Sequence, residues 1–298
     1  MLQANLQRGG AMNKLYSMIL LAGLMACSQP AEVTLGAESY DPVTNARLVE
    51  LGLDGDGSKY VSVSAGEYYT CGLRDDATIV CWGKNEYGVT TPTPGLYQAV
   101  EAAEKHTCGL TIDNTVTCWG HLAGIINMAP EGRMQSITAS LYHTCGLTED
   151  GAIVCVGDDG YGQTMAPEGN FKAVTAAHRS TCGIKDDGQV ECWGESDLRF
   201  ESPGDDTQFI DGGESHYCAI QGDNTVGCWG RETHNETQAP ETLFKSLSAG
   251  EDATCGITMS DTIECWGGNI AGQGESPEGL FKSVSMGNAH GCAVSIEG

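Results

Sequence analysis

The spacing of the cysteines constrains the fold of this chain more than any other feature. Fourteen cysteines occur in 298 residues, and twelve of them form six pairs whose members stand ten residues apart. The pairs are Cys71/Cys81, Cys108/Cys118, Cys145/Cys155, Cys182/Cys192, Cys218/Cys228 and Cys255/Cys265. The first cysteines of the pairs, followed by Cys292, are separated by 37, 37, 37, 36, 37 and 37 residues. Chance does not produce such a series, so this is a repeat protein.

Each pair marks a predicted β-hairpin, of which Thr144–Gly157 (TCGLTEDGAIVCVG) is the example. Apolar residues alternate at strand period on both sides of an acidic turn, where Gly151 can take the left-handed conformation of a three-residue loop. Folding about this turn places Cys145 opposite Cys155, and facing Cβ atoms in such a pair are ~4.5–5.5 Å apart. Zinc sites favour Cys-x-x-Cys spacing, which these pairs do not have. The sequence therefore predicts a disulfide rather than a zinc site in each of the six hairpins.

Each repeat also contains a short apolar run before the hairpin and a variable segment after it, often closing on Pro-Glu-Gly. This order predicts three strands per copy, and a fourth, irregular outer strand is considered for the variable segment. One such unit cannot bury both of its faces, so copies must stack, radially in a β-propeller or linearly in an open solenoid. The adjacent cysteine and tryptophan of the third strand should point to opposite faces, so the disulfide meets one neighbour and the tryptophan the other.

Several recurring motifs resemble the regulator of chromosome condensation repeat family, in particular its cysteine-bearing bacterial branch. They are HTCGL at His106–Leu110 and His143–Leu147, the Cys-Trp-Gly triplets, and Gly160-Tyr161-Gly162-Gln163. The resemblance covers Tyr60–Gly298 and implies an all-β, seven-bladed β-propeller with six complete repeats and a partial seventh. Val156 departs from it by replacing the tryptophan, and several copies lack the Gly-Gln pair. Family members include a nucleotide-exchange factor and a secreted inhibitor of β-lactamases, so the fold does not define the ligand.

The N-terminal segment is typical of an export signal. Residues 1–27 contain Lys14 and an apolar run, Leu15–Ala26, that is too short to span a membrane comfortably. The end of this run, Leu24-Met25-Ala26-Cys27, resembles the bacterial lipobox, which implies cleavage before Cys27 and its diacylation; an ordinary signal peptide is the alternative. Residues 28–59 are predicted to be a tether. We therefore expect a lipoprotein of the bacterial envelope, on the outer membrane or cell surface, held to the membrane through Cys27.

Composition and motifs argue against several classes of function. The formal net charge of −25 argues against a surface for nucleic acid, which needs a basic stripe. No nucleophile stands beside a base, so we expect no catalytic residue, no cofactor and no metal. Histidine stands two residues before the first cysteine in four repeats, where a packing or hydrogen-bonding role is favoured over a metal or catalytic one. These residues are His106, His143, His216 and His290.

The position three residues before each first cysteine varies while its neighbours repeat. It holds Tyr68, Lys105, Tyr142, Arg179, Ser215, Asp252 and Ala289, which we call the loop ring. Variation on a fixed frame is where repeat scaffolds usually bind ligands, although unselected loop drift is the plainer explanation. We predict a monomeric, non-catalytic module that binds a protein or glycan through this ring. The alternatives are a hydrolase or lyase at the central opening, marked by perturbed acids or a metal site there, and a structural envelope component.

The last repeat is incomplete. Cys292 begins a seventh pair whose partner would lie at position 302, beyond Gly298. We expect the natural chain to continue with that strand. The alternative is that Ala46–Leu53 folds back and closes the ring, which supplies a strand but no cysteine.

Overall fold

The computed structural model describes residues 59–121, 129–195, 204–269, 272–288 and 290–296. These residues form twenty strands in seven antiparallel sheets, each made of strands that follow one another in the chain. We number the sheets as blades one to seven. The strands are β1 Tyr60–Ala65, β2 Tyr69–Arg74, β3 Ile79–Gly83; β4 Tyr97–Ala102, β5 His106–Thr111, β6 Val116–Gly120; β7 Met134–Ala139, β8 His143–Thr148, β9 Ile153–Gly157; β10 Phe171–Ala176, β11 Ser180–Lys185, β12 Val190–Gly194; β13 Thr207–Gly212, β14 His216–Gln221, β15 Val226–Gly230; β16 Phe244–Ala249, β17 Ala253–Thr258, β18 Ile263–Gly267; β19 Phe281–Met286, β20 Gly291–Ser295.

The variable segments do not add a regular strand. Where the structure describes them, no residue forms the fourth outer strand considered from the sequence, and the segment after β3 contains a 3₁₀ turn at Glu86–Gly88 instead. The predicted signal at 1–27, the tether at 28–59 (apart from Lys59) and the strand at Ala46–Leu53 lie outside the described residues. Among the residues that are described, no helix has the length and apolar character needed to cross a bilayer.

The predicted hairpins and disulfides are confirmed. In blade three, Cys145 pairs directly with Cys155 in the strand register, and their Cα atoms are 4.1 Å apart across the bond. Gly151 takes a φ of 85° in the turn, as the loop requires. The same bond closes all six predicted pairs: Cys71–Cys81, Cys108–Cys118, Cys145–Cys155, Cys182–Cys192, Cys218–Cys228 and Cys255–Cys265.

The two cysteines of each bond differ in their exposure. The first lies on the middle strand of its blade and is fully enclosed, whereas the second lies on the third, outermost strand and is half-buried. The half-buried cysteines are Cys81, Cys118, Cys155, Cys192, Cys228 and Cys265. Each disulfide therefore fastens the outer strand of a blade to its core. Cys292, for which the sequence offers no partner within its own hairpin, is not a free thiol in the structure.

Blade two shows how neighbouring blades pack. Trp119 lies on the side of blade one, in a core with Leu73 and Ile79. The Cys108–Cys118 disulfide lies on the opposite side, in a core with Met134 and Ile137 of blade three. The prediction that the disulfide and the tryptophan meet different neighbours is therefore confirmed.

In blades one and two, the glycine after the first cysteine makes room for the aromatic residue that opens the blade. A Cβ atom on Gly109 would lie 2.5 Å from the ring of Tyr97, and one on Gly72 would lie 2.4 Å from the ring of Tyr60. Such separations are far below contact distance, so a side chain here would force the ring out of the core.

Blade seven packs directly against blade one. The backbone N–H of Ala65 donates to Ser285 Oγ at 2.9 Å, and His290 Nε2 lies 3.0 Å from Thr70 Oγ1. Tyr60 and Val63 share a core with Val294. The ring is closed by these contacts, which excludes an open solenoid. The fold is a seven-bladed β-propeller.

Candidate binding face

One face of the propeller carries the connections between the first and second strands of every blade. These connections converge on a central opening, which is lined mainly by alanine and glycine together with several polar side chains. In blades two to seven, the residue four positions before the first cysteine lines this opening. Together with Glu67, which holds the same position in blade one, we call these residues the rim. The rim residues are Glu67, Glu104, Leu141, His178, Glu214, Glu251 and Asn288. Four of the seven are glutamates, so the opening is strongly acidic.

The rim glutamates lie close enough to perturb one another. Burial, followed by the charges of Glu214 and Asp252, raises the pKa of Glu251 to about 7. Burial, followed by the charge of Glu67, also raises the pKa of Glu104. His178 Nδ1 lies 3.7 Å from a carboxylate oxygen of Glu214. Glu251 therefore retains a proton in part near neutral pH, and the rim favours an incoming positive charge, which would relieve the repulsion.

A second ring of polar side chains lies on the innermost strands below the rim, and we call it the channel ring. It consists of Ser64, Glu101, Thr138, Thr175, Asp211, Ser248 and Ser285. Its members link the blades, since Ser64 Oγ accepts the N–H of Ala102 at 2.8 Å and Asp211 Oδ2 accepts that of Ala249 at 2.9 Å. Burial, with a contribution from the charge of Asp211, raises the pKa of Glu101 to about 8. Burial raises the pKa of Asp211 to about 6.

The predicted loop ring lies just outside the rim. The carbonyl of Tyr68 accepts the N–H of Lys84 at 2.9 Å, and the other described members except Asp252 accept equivalent bonds at 2.8–3.0 Å from the loop after the third strand. Asp252 accepts such a bond from Gly268 at 2.5 Å. These bonds hold the six described connections in the same position relative to their blades, so it is mainly the side chain that differs from one of these blades to the next.

The side chains of the loop ring contact adjacent elements. The ring of Tyr142 stacks on His178 of the rim at 5.0 Å between centroids. The guanidinium carbon of Arg179 lies 4.7 Å from the centre of the Tyr161 ring. Tyr68 is 47% exposed, with the Lys84 ammonium 5.2 Å from its ring. Tyr68, Tyr142 and Arg179 thus present aromatic and cationic surface beside the acidic rim.

The remaining members of the loop ring differ in their surroundings. Lys105 and Ser215 are half-buried at the ends of their connections. Asp252 Oδ1 lies 3.7 Å from His234 Nδ1 of the preceding blade's outer loop. Ala289 lies outside the described residues.

Sequence reasoning missed the rim because it selected the position one residue further along. Variation is greatest at the loop ring, but consecutive residues of a turn point in different directions, and the earlier one faces the axis. A signal was present in the sequence, since that position holds glutamate in four repeats.

The recurring histidines are structural, as the sequence favoured. His106 is buried, and its Nε2 lies 2.9 Å from Thr144 Oγ1 of the next blade. Burial lowers the pKa of His106 to about 4. A neutral, enclosed imidazole that bridges two blades is a packing element.

The Gly-Tyr-Gly-Gln motif is also structural. The carbonyl of Gln163 accepts hydrogen bonds from Thr181 Oγ1 and Trp193 Nε1, both at 2.9 Å. Its side chain is buried and accepts the N–H of Tyr161 at 2.9 Å. The outer loop of blade three is thereby fixed to blade four, which places Tyr161 beside Arg179.

Comparisons with known proteins agree with this architecture. The model of the regulator of chromosome condensation (RCC1) repeat matches residues 60–89 and 135–163. A solved ectodomain of the Arabidopsis thaliana receptor kinase ACR4 is 30% identical, with a TM-score of 0.60 over 70% of this chain and 80% of that chain. The ectodomain of the Physcomitrella patens receptor kinase CR4 is 22% identical, with a TM-score of 0.69 over 80% and 71%. Prp20p from Saccharomyces cerevisiae is 14% identical, with a TM-score of 0.68 over 84% and 85%. A comparison with curated protein sequences gives no significant match.

The closed ring of disulfide-bearing blades defines a β-propeller. Two stretches of the chain match the regulator of chromosome condensation (RCC1) repeat, so the propeller contains repeats of this family. Binding of Prp20p to Gsp1p and histones has been characterised alongside its structure, and yeast RCC1 (Prp20) has also been solved in complex with Kap60. The six disulfides indicate an oxidising, exported environment for the present chain.

Proposed function

We propose that this chain is a lipid-anchored protein-binding module of the bacterial cell envelope, acting as a monomer. Its partner docks on the face that carries the rim and the loop ring and brings a basic side chain to the central opening. The anchor is the lipid on Cys27, which is expected from the lipobox resemblance at Leu24–Cys27.

The observation that carries the proposal is the contrast between a repeated frame and the chemistry displayed on it. The backbone of every described connection of the loop ring is held by the same hydrogen bond, while the side chains form an acidic centre beside the exposed Tyr68 and the half-buried Tyr142 and Arg179. Tyrosine and arginine are among the commonest hot-spot residues at interfaces. Like-charged glutamates at the centre favour a partner with complementary charge, which increases both specificity and association rate.

The test begins with capture of partners from an envelope extract by the whole protein, followed by affinity measurement with the purified partner. Replacing Tyr68, Tyr142 and Arg179 together by alanine should weaken binding at least tenfold, about 1.4 kcal/mol. A matched control replaces three residues near the hairpin turns, Ile112, Arg133 and Met259, of which Ile112 is 54% and Met259 49% exposed. Loss of affinity in the control variant, with the first variant unaffected, would show that the partner docks elsewhere.

An enzyme at the central opening is the second candidate, and one observation favours it. Carboxyl groups with raised pKa, such as Glu251 at about 7, are suited to general acid–base catalysis near neutral pH. The enzyme and the binding module can be distinguished by assaying wild type and Glu251→Gln with a panel of glycoside, ester and peptide substrates. Turnover that the variant loses would support the enzyme; no turnover above background leaves the binding module.

A further inference from the structure

At three joints between blades, those for which the structure describes all the residues concerned, two sequence positions from the outer loop of one blade lie next to one position from the loop ring of the following blade. At the joint between blades three and four they hold Tyr161, Gln163 and Arg179, in which the cation lies over the tyrosine ring. At the joint between blades one and two they hold Tyr87, Val89 and Lys105. The joint between blades five and six instead holds His234, Glu236 and Asp252, whose side chains all offer lone pairs.

These three side chains converge on one point. His234 Nδ1 lies 3.5 Å from Glu236 Oε1 and 3.7 Å from Asp252 Oδ1. All three ligand atoms lie within 4.8 Å of one another. Donors around a tetrahedral zinc ion, at bond lengths of ~2.0–2.2 Å, are separated by ~3.4 Å. The two measured separations are therefore close to those that a zinc ion needs.

Glu236 is held in place before any ligand arrives. Its side chain is fully buried, and Oε2 accepts the backbone N–H groups of Thr233 at 2.9 Å and His234 at 2.7 Å. Oε1 accepts one hydroxyl bond, from Thr233 at 2.7 Å, which leaves a lone pair. Its carbonyl accepts Trp266 Nε1 of blade six at 3.1 Å. Such outer contacts orient a carboxylate ligand as they do in metal sites.

The corresponding corner of the joint between blades three and four has different chemistry. There Gln163 Nε2 donates to Asp158 Oδ2 at 3.2 Å, so a donor faces an acceptor. At the joint between blades five and six, an oxygen of Glu236 takes the place of that amide donor, and two further acceptors face it. A positive charge between them, either a proton on His234 or a metal ion, would satisfy these acceptors. His234 and Asp252 remain partly exposed to solvent, which leaves the site accessible.

We propose that His234, Glu236 and Asp252 form a binding site for a divalent transition-metal ion of the zinc type. A water molecule completes the coordination. This departs from the sequence-based expectation of no metal. It is independent of the proposed partner-binding function, because metal binding is measured on the protein alone.

The test is zinc titration of the whole chain after treatment with a chelator, followed by calorimetry and by competition with a chromophoric zinc indicator. Wild type should bind one Zn²⁺, and zinc should raise its melting temperature. His234→Ala should weaken the affinity at least tenfold. His121→Ala, at an exposed histidine on another joint, should leave it unchanged.

A variant that keeps the local frame guards against misfolding. His234→Tyr, Glu236→Gln and Asp252→Arg together install the residues of the joint between blades three and four, and should abolish binding while the six disulfides remain intact. Cobalt provides a second readout, since tetrahedral Co²⁺ should give visible absorption with wild type and not with this variant. Absence of zinc binding by wild type, or equal binding by the His234 and His121 variants, would overturn the proposal and leave a protonated His234 in simple ion pairs.

Discussion

His143 of blade three and Thr181 of blade four are joined by a hydrogen bond of 2.7 Å between Nε2 and Oγ1, and both side chains are buried. The other ring nitrogen lies 2.9 Å from Ser140 Oγ. Burial lowers the pKa of His143 to about 4, so the ring is neutral at pH 7. Three more such bridges join other blades: His106–Thr144, His216–Thr254 and His290–Thr70.

These bridges should make the fold sensitive to acid. A histidine with a folded pKa of about 4 and an unfolded pKa of 6.5 takes up a proton more readily when unfolded. Its contribution to stability is therefore complete above pH 6.5 and is lost as the pH falls toward 4. The shift corresponds to about 3 kcal/mol for one histidine, and contributions of coupled histidines are not simply additive.

Denaturant unfolding at intervals across this range measures the effect. His143→Gln keeps a hydrogen-bonding group that does not titrate, so its unfolding free energy should depend less on pH than that of wild type. His121→Gln, at an exposed site, should follow wild type. A wild-type curve that is flat between pH 6.5 and 4 would contradict the assignment of neutral, buried histidines.

Glu101 should affect stability in the opposite direction from the buried histidines, lowering it at high pH instead of at low pH. Its folded pKa of about 8 lies above its ordinary value of 4.5, so its carboxyl is stabilising when protonated and that contribution is lost as the pH rises through 8. Glu101→Gln should be more stable than wild type at alkaline pH, on the order of 2 kcal/mol, since water in the opening screens part of the charge. The unfolding free energies of Glu101→Gln and wild type should converge at about pH 4. Glu131→Gln, at an exposed position, provides the control, and equal pH profiles for Glu101→Gln and wild type would refute the raised pKa.

Removal of one hairpin disulfide should weaken the fold without changing its architecture. Replacing Cys145 and Cys155 together by alanine should lower the unfolding free energy by about 2–3 kcal/mol, mainly by freeing the unfolded chain. Chemical unfolding of the purified variant checks the magnitude. Peptide mapping without reductant should show only bonds within hairpins for the other five pairs, and links between different blades would be inconsistent with the register seen here.

Lipid on Cys27 should determine where the protein resides. Cys27→Ala should move it from the membrane fraction to the soluble fraction, because the proposed anchor is lost. Mass spectrometry of the N-terminal peptide gives a direct reading, with a diacylglyceryl modification expected on Cys27. A peptide in which Cys27 is instead disulfide-bonded, or unchanged membrane association of the variant, would show that the anchor has been assigned wrongly.

Much of the fold was predictable because its determinants are local. The ten-residue spacing of Cys145 and Cys155, with Gly151 in the turn, specifies a hairpin whose register places the sulfurs face to face. Strand periodicity also specifies that adjacent residues such as Cys118 and Trp119 face opposite neighbours. Equal spacing of the repeats then requires stacking, since no single blade can bury both faces.

The candidate sites required the tertiary structure. Glu251 and Glu214 belong to different blades, and only the curvature of the closed ring brings their carboxylates close enough to raise a pKa. His234 and Asp252 likewise meet only because blade five packs its outer loop against blade six. The sequence by itself determined the hairpins, their disulfides and their repetition, since these depend on residues close together along the chain. Tertiary structure alone decided which side chains face the axis or meet at a joint, because those contacts depend on the angle between blades and on the direction of each side chain in a turn.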